Sequence, residues 1–126
     1  MIAGIGCDVC EIARMEQALR NDRFLLRWFS EEERAYIGDH ARAAQTAAGL
    51  FAAKEAFSKA LGCGFTALLP NDITVLHTKD GAPYYSVSGR AAARMAEQRI
   101  RKVHLSLSHD GGVAMAFAVA EAGDPE

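Results

Sequence analysis

The sequence predicts an α+β fold, a single domain with helices packed on a mainly antiparallel sheet, and three observations carry that reading. Near the C-terminus, Val103 to Ser108 and Val113 to Ala120 are joined by Asp110-Gly111-Gly112, the composition of a tight reversal. A second pair, Ile73 to Leu76 and Tyr84 to Val87, flanks Lys79-Asp80-Gly81, where Asp-Gly signals a hairpin. Before both runs a long alanine-rich segment, from about Ala41 to Leu61, which has no proline and is interrupted only by Gly49.

Taken in order, Ile2 to Asp8 is a short apolar run containing Gly4 and Gly6, expected as a buried strand whose backbone another element approaches closely. Asp8 falls at its carboxyl end. Glu11 to Leu19 sets Ile12, Met15 and Leu19 at helical spacing and turns Arg14, Gln17 and Arg20 to other faces. Arg23 to Phe29 is a short helix or turn that must bury Phe24, Leu25, Trp28 and Phe29. Ser30-Glu31-Glu32-Glu33 fits a capping box, so a helix begins there. The alanine-rich segment is the longest helix and stops at Gly62-Cys63-Gly64. Pro70-Asn71-Asp72 is turn material. After the first hairpin, Ser88 caps a helix to about Arg99, with Ala92, Met95, Ala96 and Ile100 on its apolar face. Val103 to Ser108 alternates as a half-buried strand does, Val113 to Ala120 is continuously apolar, and the residues from about 121 to 126 read as a frayed tail.

A chain of 126 residues with 50% hydrophobic content supplies a core without disulfides, so residues 1–126 are expected to form one domain. A formal charge of -2 gives no general reason to bind nucleic acid or a membrane surface, and any basic site must be local. The Cys7-x-x-Cys10 spacing lacks a second pair to complete a zinc site, and with Cys63 it suits a reducing cytoplasm. No basic-then-apolar leader opens the sequence, and no run approaches the ~18 apolar residues that span a bilayer. A soluble cytoplasmic protein is the expectation.

Chemistry concentrates at few positions. Glu55 and Lys59 are four apart on the long helix and share a face, an arrangement that is also one of the commonest surface ion pairs. Their surroundings, Ala52, Ala53, Ala56 and Ala60, permit tight packing beside them. Asp8 is a second carboxylate, read either as a site residue at a strand end or as a cap on the next helix. Two carboxylates converging from a strand and a helix suit Mg²⁺, which keeps waters and accepts phosphate oxygens, and Lys59 would then neutralise phosphate. His109, beside the Asp-Gly-Gly turn, is placed to reach a ligand or to make a simple turn hydrogen bond. His40, His77 and His104 have no partner spacing and are assigned surface or half-buried roles.

Four motifs in order resemble the holo-acyl-carrier-protein synthases, and they span nearly the whole chain. They are Gly4-Ile5-Gly6-Cys7-Asp8 with Glu11, Ile12 and Arg14; the run from Phe51 to Gly64 with Glu55 and Lys59; Gly81-Ala82-Pro83-Tyr84; and Leu105 to His109. The resemblance implies the 4′-phosphopantetheinyl transferase fold and an enzyme moving the 4′-phosphopantetheine arm of coenzyme A onto a serine of apo-acyl carrier protein, in fatty acid biosynthesis. It implies that Asp8 and Glu55 hold Mg²⁺ and that Lys59 meets the transferred phosphate. Either Glu55 or a water activated by the metal and Asp8 would take the serine proton. Ser108, His109 and Arg42 would line the nucleotide. Arg14, Arg20, Arg23, Phe24 and Arg27 would meet the acidic carrier protein, and members of this short type assemble as homotrimers with interfacial sites. Leu50 departs from the pattern, standing where many relatives carry a basic residue. Two rival functions are a coenzyme A or carrier binder without turnover, against which the retained Asp8, Glu55 and Lys59 speak, and an unrelated Mg²⁺-dependent phosphoesterase using water as acceptor.

Overall fold

A computed structural model describes residues 1–38 and 41–123 of the chain; His40 and residues 124–126 of the expected tail lie outside the described residues. The elements are β1 (Ile2–Glu11), α1 (Ile12–Ala18), α2 (Asp22–Trp28), α3 (Glu31–Ile37), α4 (Ala43–Ala60), β2 (Ile73–His77), β3 (Pro83–Val87), α5 (Gly89–Glu97), β4 (Ile100–Asp110) and β5 (Val113–Ala122). A 3₁₀ turn at Pro70–Asp72 leads into β2. All strand pairs are antiparallel: β5 lies between β1 and β4, and β2 pairs with β3 as a separate hairpin.

Small residues decide how the layers meet. Every second residue of β5 from Ala114 to Ala120 is an alanine no more than 1% exposed, and Ala52, Ala53 and Ala56 of α4 are fully buried with them. Alanine on alanine lets a helix lie close to a sheet, and Phe29, Phe57 and Leu68 supply larger side chains to the same core. A buried ion pair fixes α4 from the other side. Lys54 Nζ donates to Glu33 Oε1 at 2.6 Å and to the Pro70 carbonyl at 3.0 Å, and both side chains are fully buried. Glu33 is the capping-box residue read from sequence: its Oε1 accepts from Ser30 N–H at 2.9 Å, while Oε2 accepts from Val75 N–H at 3.0 Å. One carboxylate therefore ties together α3, α4 and β2, which offsets the cost of burying its charge.

Several boundaries differ from expectation for physical reasons. β1 runs three residues past Asp8 because β5 continues to pair with it as far as Glu11 opposite Val113, so Asp8 is inside a strand and caps nothing. α2 starts before Arg23 because Asn21 Oδ1 accepts from the N–H groups of Arg23 and Phe24. Ser88 makes no side-chain cap; Asp72 reaches across from the 3₁₀ turn and accepts from Arg90 N–H at 2.9 Å instead. Ile100, placed on the apolar face of α5, opens β4 after a reversal at Arg99 with φ of 58°. The strand β5 persists through Ala122, into the stretch read as tail. Although the strand is continuously apolar, only its alanine face is covered: Met115 and Phe117 remain 40% and 43% exposed on the other.

Candidate active site

The close approach predicted at the N-terminal glycines is made by α4. A side chain on Gly4 would begin 2.0 Å from the Ala60 carbonyl oxygen, and one on Gly6 would begin 2.0 Å from that of Ala56. The helix thus passes over β1 in the opposite sense, and Asp8 is the next residue on the strand face that carries these glycines. Lys59 Nζ donates to Asp8 Oδ1 at 3.2 Å and to the Cys7 carbonyl at 3.0 Å. The ordinary i,i+4 pair is therefore not formed; the lysine turns to the strand. Among the described residues the Glu55 carboxylate makes no hydrogen bond or ion pair. It is half-buried, and its pKa is raised by burial first and by the Asp8 charge second, with Lys59 opposing. Two carboxylates in each other's field and one half-exposed lysine form the centre of the site.

A second feature lies at the other end of α4. A cavity of about 360 Å³ is bordered by His109 and Ser108 of β4, Gln45 and Leu50 of α4, Gly81 of the hairpin, and Tyr36 and His77. His109 Nε2 contacts the Gln45 amide nitrogen at 3.3 Å. Ser108 and His109 sit opposite Met115 and Ala114, so consecutive side chains leave the sheet on opposite faces. Arg42 is one turn before Gln45 and borders a different cavity with Ile12 and Glu16. Leu50 is 1% exposed, and no cation replaces it in this wall. Neither Asp8, Glu55 nor Lys59 borders the His109 cavity. Glu55 is ten positions beyond Gln45 on α4, about 15 Å at the usual rise, and five beyond Leu50. Within one chain, then, the expected metal and nucleotide residues are not brought together.

The third group is the basic surface. Arg14, Arg20, Arg23 and Arg27 are all exposed on α1, α2 and the turn between them, and among the described residues none is in an ion pair. Arg14 and Phe24 border a groove of about 230 Å³ with Val9, Cys10, Glu11 and Phe51. This groove touches β1 immediately beyond Asp8. Phe24 is less free than the sequence suggests, since its ring packs near those of Trp28, Phe29 and Phe51 at 6.0 to 6.2 Å. Sequence reading gave no role to Gln45 or to the Lys54–Glu33 pair, and His77, assigned a surface or half-buried place, is half-buried with its ring stacked on Tyr36. The Glu33 capping box was the one local signal that pointed near any of them.

A family model described as the 4′-phosphopantetheinyl transferase superfamily matches residues 4–118. The holo-[acyl-carrier-protein] synthase of Clostridium tetani is 40% identical over 122 residues, covering 96% of this chain and 97% of that protein. The crystal structure of the holo-[acyl-carrier-protein] synthase from Neisseria meningitidis superposes with a TM-score of 0.87 at 32% identity, over 96% of this chain and 99% of that one. The Helicobacter pylori holo-[acyl-carrier-protein] synthase, solved in complex with coenzyme A, superposes with a TM-score of 0.82 at 34% identity, over 93% and 99% of the two chains.

Proposed function

This chain belongs to the 4′-phosphopantetheinyl transferase superfamily and, within it, to the holo-[acyl-carrier-protein] synthases, and from that premise we propose the reaction its site performs. The 4′-phosphopantetheine group of coenzyme A passes to a serine of apo-acyl carrier protein. A serine oxygen–phosphorus bond forms, the pyrophosphate bridge breaks, and adenosine 3′,5′-bisphosphate leaves. The product would serve fatty acid biosynthesis in the cytoplasm. The observation that carries the reading is the convergence of Asp8, Glu55 and Lys59 from β1 and α4.

The residues fit Mg²⁺. Glu55 is an unpartnered carboxylate whose pKa is raised partly by Asp8, so a cation between the two would relieve their repulsion. Two carboxylates would leave the remaining coordination positions to waters and phosphate oxygens, the ligands Mg²⁺ ordinarily keeps. When bound, Mg²⁺ supplies charge neutralisation on the pyrophosphate and its leaving oxygen. Lys59, half-exposed and held only to Asp8 and a carbonyl, is placed to turn toward the transferred phosphate. The serine proton passes to Glu55 or to a water beside Asp8. Arg14, Arg20, Arg23 and Arg27 steer the acidic carrier to the groove that abuts β1, and Phe24 contributes the apolar rim.

Because neither Asp8, Glu55 nor Lys59 borders the His109 cavity of the same copy, we take coenzyme A to bridge two copies. The uncovered sheet face supports assembly into a homotrimer. Ile5, Val9, Met115 and Phe117 are 40% to 60% exposed on it, an apolar patch that water disfavours. Ser108, His109 and Arg42 of one copy would then hold the nucleotide while Asp8, Glu55 and Lys59 of the next act on the pyrophosphate.

The test incubates the protein with coenzyme A, Mg²⁺ and apo-acyl carrier protein and weighs the carrier. A mass gain of one phosphopantetheine, absent with Glu55→Gln, is expected. Cleavage of coenzyme A without any carrier would instead favour the phosphoesterase reading, and an unmodified carrier would sink the transfer.

A further inference from the structure

Lys54, the residue before Glu55, ties α4 to α3, to the 3₁₀ turn and to β2. Its Nζ donates to Glu33 Oε1 at 2.6 Å and to the Pro70 carbonyl at 3.0 Å, and Glu33 Oε2 accepts from the Val75 N–H at 3.0 Å. The same Nζ lies 5.6 Å from the centre of the Phe29 ring. One residue earlier, the Ala53 carbonyl accepts from the Tyr85 hydroxyl of β3. Lys54 and Glu33 are both 0% exposed, so neither side chain can touch a substrate. A buried charged pair is a poor source of stability, because well-packed apolar side chains of the same volume often serve as well or better. What this pair adds is direction: its donor and acceptors meet only at one rotation and one height of the helix.

Glu55 depends on that rotation. Among the described residues its carboxylate makes no hydrogen bond or ion pair, so its place is set by the helix that carries it. Successive helical residues point about 100° apart, and the bearing of Lys54 therefore sets that of Glu55. Side-chain ends stand about 5–6 Å from a helix axis, so a turn of roughly 10° moves the Glu55 carboxylate by about 1 Å. Side-chain packing against the sheet resists such a turn weakly, since the buried residues Ala52, Ala53 and Ala56 end at Cβ and form shallow ridges.

We propose that Lys54 and Glu33 are positioning residues for the reaction: the pair sets the rotation of α4 that holds the Glu55 carboxylate toward Asp8. The inference rests on the reading of Asp8 and Glu55 as the carboxylates that hold the metal. It gives the pair a part in turnover that is separable from its part in stability, and it leaves the binding of coenzyme A to other residues.

The experiment compares the unaltered protein with Lys54→Met/Glu33→Gln, which removes the anchor at nearly constant volume, and with Ile100→Ala, which truncates a buried residue of β4. Urea melts, steady-state transfer to apo-acyl carrier protein and calorimetric titration with Mg²⁺ alone are measured on each. The double variant should lose about 10²-fold in kcat, the effect of an error near 1 Å at a reacting centre, with KM for coenzyme A unchanged. Its affinity for Mg²⁺ should fall about tenfold, as when a residue that orients a metal ligand is lost. Ile100→Ala should lower the urea midpoint at least as far while keeping kcat and Mg²⁺ affinity. Glu33→Gln alone, which leaves Lys54 the Pro70 carbonyl, should show the same pattern in smaller degree, and it decides the matter if the double variant does not fold. Unchanged Mg²⁺ affinity, a kcat lowered no further than by Ile100→Ala, or a KM for coenzyme A that rises as kcat falls overturns the positioning role. If the unaltered protein transfers the arm and the variants match it, only this inference falls; if the unaltered protein transfers nothing, the proposed function falls and this inference with it.

Discussion

Gly6→Ala tests the link between fold and site most directly. The new Cβ would begin 2.0 Å from the Ala56 carbonyl oxygen and 2.8 Å from the Ala60 nitrogen, both backbone atoms that no rotamer change can move. Ordinary contact begins near 3.4 Å, so α4 must retreat from β1 by about 1.4 Å. Overpacking of this kind costs about 1–3 kcal/mol. With a urea slope of about 1–3 kcal/mol per molar, the unfolding midpoint should fall by roughly 1 M. A domain of ordinary stability, about 5–15 kcal/mol, stays folded after that loss. Turnover should fall much further, because the same retreat carries Glu55 and Lys59 away from Asp8 and breaks the 3.2 Å contact. A displacement near 1 Å at a reacting centre is worth about 10²-fold in rate. Gly64→Ala is the control, since nothing lies within 4 Å of a Cβ there. A Gly6→Ala protein with unchanged midpoint and rate, or a Gly64→Ala protein equally damaged, would refute the reasoning.

Three further outcomes are expected. Lys54→Met strands the fully buried Glu33 carboxylate and should cost about 3–5 kcal/mol in a denaturant melt, partly recovered by adding Glu33→Gln; a loss under about 1 kcal/mol would show that the pair does not hold α4. In metal-free protein the raised Glu55 pKa means the folded state binds that proton more tightly than the unfolded chain. Its stabilising effect is thus lost as pH rises through the folded pKa, so Glu55→Gln should melt at or above the unaltered protein at neutral pH, with the gap closing as pH falls below the carboxylate range. Added Mg²⁺ should reverse the order by stabilising only the protein that keeps Glu55, and melting curves insensitive to Mg²⁺ would count against the metal assignment. Finally, Arg23→Glu should raise KM for acyl carrier protein about tenfold without changing KM for coenzyme A, and the effect should shrink in high salt; a salt-independent change would place the residue elsewhere in the mechanism.

The elements that sequence reading placed best are those whose cause is local. The capping box at Ser30, the Asp-Gly hairpin and the uninterrupted helix of α4 depend on neighbours within a few residues. Boundaries moved where a distant partner intervened: β5 drew β1 on past Asp8, and Asp72 took the capping role from Ser88. The site divides in the same way. Glu55 and Lys59 could be picked out by helical spacing, but spacing paired them with each other, whereas the fold pairs Lys59 with Asp8, 51 residues away.

By itself, then, the sequence determined the α+β class, the order of helices and hairpins, and the two N-terminal glycines as points of close approach. These follow from hydrophobic period, turn chemistry and side-chain type, all readable along one dimension. Tertiary structure alone decided that α4 presses its carbonyls onto those glycines, that Glu33 and Lys54 neutralise each other in the core, that Tyr36 meets His77, and that His109 stands at the far end of the helix from Glu55. The physical reason is that each of these joins residues of separate elements, whose distances are set by how a helix and a sheet of mostly alanine pack together and not by any spacing along the chain.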